Sequence, residues 1–184
     1  NGEISLASHQ IAMSMSSFSF MLALGVGAAS SIRVSHQYGF GDYKAMRKAG
    51  FAAVHLSVAL MSISGIAYVL FRNYIPIIYT EDLLVREMAA KLLVIAAIFQ
   101  IFDAMQLSGL AALRALADVK IPLILSIISY YLVCLPLGYL CGVVLEMGAV
   151  GVWIGLLLGL IFAALLFLWR FNKISNKIIS DNCK

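Results

Sequence analysis

An all-α membrane protein of five spanning helices is the fold class that this sequence predicts, and three observations predict it. Apolar residues make up 62% of the chain and charged ones only 12%, against about half and a quarter in soluble domains. The apolar residues gather into five runs, each close to or above the roughly 20 residues that carry a helix across a bilayer. Period-2 alternation over about ten residues, the mark of a membrane barrel strand, is absent. Helices remain, because in lipid they satisfy their backbone groups internally.

The first run, Ile11 to Ile32, is interrupted only by small hydroxyls and holds Met13, Met15 and Met21. Such adaptable thioethers serve either promiscuous ligand surfaces or plain packing. His9 and Gln10 stand where this span enters the membrane, the usual place of an interface histidine. The stretch "RVSHQYGFGDYKAMRKAG" then turns at Gly39 and Gly41, and Asp42 is placed to cap the next helix. Its G-x-G follows a membrane helix and not a strand, so it is a turn and not a dinucleotide fingerprint.

The second run, Ala49 to Phe71, leads into a loop with Pro76, after which Thr80 and the acids behind it predict an N-capped, amphipathic lead-in to the third run, Leu92 to Leu113. The fourth run, Ile121 to Leu145, carries Pro122 in its first turn and Pro136 in its interior. Pro136 leaves the carbonyl of Leu132 without its donor and predicts a kink, as architecture or as a hinge. The fifth run, Gly148 to Trp169, places Gly151, Gly155 and Gly159 at every fourth position, a face that lets another helix approach closely. Whether that partner lies in this chain, the spacing leaves open. Residues 170–184 form a tail. Cys134, Cys141 and Cys183 show no CxxC or ligand spacing and read as small core hydrophobes, so neither a metal site nor a cofactor is expected.

The basic residues alternate from side to side as five spans require. Arg33, Lys44, Arg47 and Lys48 follow the first span, Arg114 and Lys120 the third, and Arg170, Lys173, Lys177 and Lys184 the fifth. Those ends, the C-terminus among them, are expected in the cytoplasm. The opposite side dilutes Arg72, Arg86 and Lys91 with Glu81, Asp82 and Glu87, and adds Glu146. The net charge of +4 is accounted for by these loops and by contact with anionic lipid heads. No basic face with interleaved aromatics points to nucleic acid. An N-terminus outside, an odd number of spans and a first residue that is not Met are expected of a piece of a longer transporter.

One residue stands against its surroundings. Asp103 lies near the middle of the third span, where a charge costs about 2.5 to 3.5 kcal/mol even on the lenient insertion scale. On a helix its neighbours are Phe99 and Gln100 on one side and Gln106 and Leu107 on the other, so that two amides and the carboxylate predict a polar stripe. Arg114, eleven residues on, is about 16 Å away along the axis. Neutralisation must come from a proton, from a cation such as Na⁺, or from another helix. The first two are what a transporter's coupling site does, and the third is what a register-fixing hydrogen bond does. No nucleophile with His and acid appears, so an enzyme is not expected.

Three stretches carry a resemblance: "LASHQIAMSMSSFSFMLALGVGAASSIRVSHQYGFGD", "FQIFDAMQLSGLAALRALADVKIP" and "SYYLVCLPLGYLCGVVLEMGAVGVWIGLLLGL". With the order Asp103, Gln106, Gly109, Leu113, Arg114, they resemble the C-terminal part of the multidrug and toxic compound extrusion (MATE) family, of the bacterial NorM-like kind. The resemblance covers nearly the whole chain. It implies most of one six-helix lobe, helices eight to twelve of twelve, in the inner membrane of a bacterium. It further implies an exporter of cationic amphipathic compounds driven by inward Na⁺ or H⁺, with Asp103 on the family's cation-site acid. Phe99, Gln100, Gln106 and Gln10 become candidates for the cavity wall. The second cation-site acid would lie on a helix outside this chain, so the ion site would need the missing N-terminal lobe and the first helix of this one. Phe99 stands where related chains can carry Tyr, and Ala115 where Gly usually follows Leu-Arg. A lipid-linked oligosaccharide flippase of the same superfamily would be expected to show basic residues inside its spans, and none is evident; a non-transporting membrane subunit would use the polar stripe to dock a partner.

Overall fold

A computed structural model describes residues 2–182; Cys183 and Lys184 of the tail lie outside the described residues. Among the described residues, five helices are long and apolar enough to cross a membrane: α1 Gly2–Gly39, α2 Tyr43–Phe71, α3 Leu83–Ala115, α4 Lys120–Val144 and α5 Gly148–Asn182. All are longer than or equal to the roughly 20 residues a crossing needs, and α1, at 38 residues, is about 57 Å long at 1.5 Å per residue. The apolar runs therefore mark the membrane core of α1, α2 and α3 and not their ends, whereas in α4 the run is the whole helix and in α5 it starts with the helix.

The ends follow from capping and from amphipathic continuation. The chain leaves α1 at Gly39 and turns at Gly41, whose φ of +77° favours glycine. The Asp42 carboxylate then accepts from the Ala45 N–H at 2.9 Å to start α2. Before α3 the cap is not Thr80 but Asp82, which accepts from Leu84 and Val85. Thr80 instead accepts from the Asp82 N–H at 3.2 Å, shaping the turn ahead of the helix. The segment after residue 170, read from sequence as a tail, stays helical through Asn182. Its Phe171, Ile174 and Ile178 recur at helical spacing and pack on Val34, Met46 and Leu113, so the end of α5 is pinned beneath α1, α2 and α3.

α3 is the hub, packed against α1, α2 and α5, while α4 leans chiefly on α5. The helix ends rich in Arg and Lys gather at one end of the bundle, where Arg170 pairs with Asp118 at 2.9 Å and Arg47 donates to Asn172 and Asn176. Between α1, α2 and α3 run hydroxyl bonds. Ser57 and Ser108 share one at 2.5 Å, and the Tyr68 hydroxyl joins Ser19 at 2.6 Å and donates to the Met15 carbonyl at 2.6 Å.

Pro136 does not act alone. α4 widens into π-helical turns over Ile128–Cys134 and Leu140–Val144 on either side of it. The Leu135 N–H reaches back five residues to the Tyr130 carbonyl, and Leu145 does the same to Leu140 at 2.9 Å. A helix with a missing donor re-satisfies its carbonyls by local widening, so the expected break is spread over two turns.

Candidate functional site

Asp103 is half-buried on α3, and among the described residues it forms no ion pair, Arg170 with Asp118 being the pair they contain. The amides predicted to share its stripe point to different helices. Gln100, 3% exposed, accepts from Ser64 of α2 at 3.2 Å. Gln106, 7% exposed, is clamped to Tyr130 of α4, its Nε2 donating to the hydroxyl at 2.9 Å and its Oε1 accepting at 3.2 Å. The reason is angular: at 100° per residue, positions 100 and 106 stand about 120° apart, with 103 between them. The stripe is thus a fan, and the carboxylate occupies its middle.

The neighbours of Asp103 one turn away define its side of α3. Leu107 packs on the cluster of Ala23, Met61 and Ala104, and Gln106 meets α4, so the acid lies between neighbours that reach α1, α2 and α4. One turn in the other direction Phe99 lies edge-on to Trp153 of α5, ring centroids 5.7 Å apart. The buried indole donates to His9 Nδ1 at 3.1 Å. His9 is therefore held by a tryptophan across the bundle and is more than a boundary residue. Gln10 is exposed and is not brought to this group. Of the methionines, Met13 and Met21 are exposed, whereas Met15 lies against Tyr68 and Leu93.

The glycine face of α5 meets α4 within this chain. A Cβ at Gly151 would strike the Cys141 backbone, at Gly155 that of Gly138, and at Gly159 the Cβ of Cys134. The two cysteines are thus small residues on the opposing face. This contact holds Tyr130, two turns of π-helix and all, against Gln106.

Sequence reasoning did not find Tyr130, Trp153 or Ser64 as partners. The doubled tyrosine was visible, but which of Tyr130 and Tyr131 turns inward depends on the π-helical register of α4. Gln100 keeps its Nε2 buried without a partner among the described residues, beside the close approach of Gly65 to the Ala97 carbonyl. Chemically, the arrangement offers one carboxylate flanked by a phenol and a primary amide, with Phe99 and Trp153 a turn away. Oxygen donors of this kind suit a hard cation, and aromatic faces suit an organic one.

The family model described as MatE matches residues 1–140, from α1 into α4. A probable multidrug resistance protein NorM of Xylella fastidiosa (strain Temecula1 / ATCC 700964) is 37% identical over 179 residues, covering 97% of this chain and 38% of its own length. A multidrug resistance protein NorM of Burkholderia vietnamiensis is 40% identical over 184 residues, covering 97% of this chain and 40% of its own. The chain thus spans about two fifths of the length of the curated relatives it matches. Among solved structures, the crystal structure of the eukaryotic MATE transporter AtDTX14 superposes with a TM-score of 0.86 at 21% identity, over 98% of this chain and 41% of that one. An inward-facing multidrug resistance MATE family transporter of the MOP superfamily gives 0.83 at 17% identity, over 92% and 39%. These two likenesses are of fold.

Proposed function

Because the chain belongs to the MatE family, we propose that it contributes the cation-coupling wall of a multidrug efflux transporter. The transporter exchanges cationic amphipathic compounds for Na⁺ or H⁺ across the bacterial inner membrane, with the basic helix ends and the C-terminus in the cytoplasm. The observation that carries this reading is a carboxylate in the middle of a membrane span, half-buried and one turn from the Gln106–Tyr130 pair. Intramembrane acids are costly and mark ion or proton pathways.

The work at this site is competition for one negative charge. With a proton or Na⁺ on Asp103 the site is neutral, and a cationic substrate is not held. When the ion leaves, the carboxylate attracts the substrate cation while Phe99 and Tyr130 offer it apolar and π surface. A substrate whose binding is strengthened by ion release is expelled by ion return, which is antiport. Phe99 lacks the hydroxyl that would supply a further cation ligand, so Tyr130 and Gln106 are the donors proposed to complete the shell. The remaining ligands are proposed to come from the first helix of this lobe, and the facing cavity wall from the N-terminal lobe.

The test is efflux of a fluorescent cationic dye from cells expressing the complete gene, under imposed Na⁺ and pH gradients. The expected outcome is export driven by one of the two gradients, abolished in Asp103→Asn. Equal export by both proteins would make Asp103 a structural residue; export by neither would favour a flippase or a docking subunit.

A further inference from the structure

A neutral imidazole has one acceptor nitrogen, and in His9 of α1 that nitrogen is occupied. The Trp153 indole N–H of α5 donates to His9 Nδ1 at 3.1 Å, the two rings lying edge-on with centroids 5.8 Å apart. An indole nitrogen only donates, so Nδ1 carries no proton and the tautomer is fixed with the hydrogen on Nε2. Trp153 is buried among Ala12 of α1 and Leu92 and Ala96 of α3, and it meets Phe99 edge-on, ring centroids 5.7 Å apart. Phe99 stands one turn from Asp103 on α3. One lone pair on α1 thus orients an aromatic pair, drawn from α5 and α3, a turn from the acid.

Protonation is incompatible with that arrangement. In the imidazolium both nitrogens are donors, so a proton on Nδ1 leaves the buried indole N–H without an acceptor, which is costly. The proton has a route: His9 and Trp153 both line a cleft of about 340 Å³, with Ser5, Leu6 and Ala149, toward the end of the bundle opposite the basic helix ends. The bond from Ser8 to the Val85 carbonyl sets His9 level with the first turns of α3. The charged groups there are Glu3 of α1, Glu87 and Lys91 of α3, and Glu146 in the turn before α5. The last three line a separate cleft with Ile4 and Ser5, a turn outward from His9. Farther out, Asp82 caps α3 and Arg86 donates to the Thr80 carbonyl. α4 between Ile121 and Leu145 and α5 between Gly148 and Trp169 hold no charged residue. Among the described residues, the indole is the partner of Nδ1.

We propose that His9 is a positioning residue of the transport site and the group through which the pH outside the membrane acts on that site's aromatic wall. Neutral, it accepts from Trp153 and holds the Trp153–Phe99 pair in place as a surface for an organic cation. When a proton from the medium bonds to Nδ1, the indole N–H loses its acceptor, the pair loosens and the cation is held less tightly. Loss of the same proton restores the bond, so none is consumed. The consequence for substrate rests on the reading of Asp103 as its counter-charge; the His9–Trp153 switch itself does not.

The experiment is fluorine NMR of the full-length protein labelled with fluorotryptophan, the Trp153 signal being the one lost in Trp153→Phe. Imidazole changes charge between about pH 8 and pH 5, and over that range the Trp153 signal of the wild type is expected to shift along one titration curve. The shift should vanish in His9→Gln, whose amide oxygen accepts but does not titrate, or in His9→Asn should the first variant fail to fold. It should persist in Asp103→Asn. In dye efflux at the upper end of that range, His9→Leu and Trp153→Phe, each lacking the bond, should raise KM about threefold with the maximal rate unchanged, the equivalent of one interhelical hydrogen bond in a membrane. A Trp153 signal that ignores pH, that moves equally in the His9 variants or that stops moving in Asp103→Asn would each overturn the proposal, as would a KM unchanged in both efflux variants. Failure of the Asp103 reading is seen separately, as undiminished export by Asp103→Asn, and leaves the titration of Trp153 in place.

Discussion

The three-helix group α1–α2–α3 and the pair α4–α5 are held together by different means. In the first, polar side chains bridge the helices: Ser8 to the Val85 carbonyl at 3.1 Å, Ser19 to Tyr68, Ser57 to Ser108 and Ser64 to Gln100. In the second, the backbones themselves meet, with Gly151, Gly155 and Gly159 laid against Cys141, Gly138 and Cys134. Lipid supplies no hydrophobic force between helices, so both groups rely on what remains, close packing and hydrogen bonds. The difference teaches how irregularity is accommodated. Serine bonds fix the register of regular helices, whereas a glycine seam constrains distance and leaves α4 free to widen around Pro136. Asp103 stands where the two regimes meet, on the hub helix of the first group and beside the Gln106–Tyr130 bond to the second.

The seam is the place where one substitution should do the most damage. Gly155→Leu would drive a side chain into the Gly138 backbone, which has no flexible end to yield. Overpacking of this kind costs about 3 kcal/mol, and here it should separate α4 from α5. Thermal unfolding in detergent, followed by loss of the monodisperse peak, should show a drop of many degrees; an unchanged transition would mean that the seam opens freely and the two regimes are not distinct. Gly151→Leu, against the Cys141 carbonyl, should behave alike. On the hydroxyl-bonded side the losses should be smaller. Tyr68→Phe removes both the bond to Ser19 and the bond to the Met15 carbonyl. Interhelical hydrogen bonds in membranes contribute about 0.6 kcal/mol on average and at most about 1.7, so this variant should lose about 1 kcal/mol and keep its fold. If Tyr68→Phe proved as damaging as Gly155→Leu, the contrast would collapse.

How far the sequence carried this architecture depended on how local each signal was. The five spans and their class follow from length and apolarity, and the Gly39 to Asp42 turn from local capping chemistry, so these were readable. The glycine face was readable as a face, but its partner was not, because α4 presents Cys134, Gly138 and Cys141, a mixed set that does not announce itself. The stripe around Asp103 failed for an instructive reason. Spacing of three and four residues says that side chains are neighbours on a helix, yet over six residues the face turns through about 120°, enough to send Gln100 to α2 and Gln106 to α4. The continuation of α5 past Trp169 was hidden by its polar residues, although Phe171, Ile174 and Ile178 hold the helical period.

The smallest expected effect bears most directly on the joint. Gln106 and Tyr130 exchange two hydrogen bonds across α3 and α4, within a turn of the acid proposed to hold the coupling ion. In a double-mutant cycle of Gln106→Leu and Tyr130→Phe, the coupling in stability should be about 0.6 kcal/mol, well below the cost of breaking the seam. In dye efflux, both single variants should weaken ion dependence even though neither unfolds the protein, because each removes an oxygen beside Asp103. A measurable coupling in stability with unaltered ion dependence would show that the pair merely docks α4 on the hub. Altered ion dependence with little coupling in stability would show the reverse: that α4 is kept in place by its glycine seam, and that the hydroxyl and amide at its edge serve the charge on Asp103.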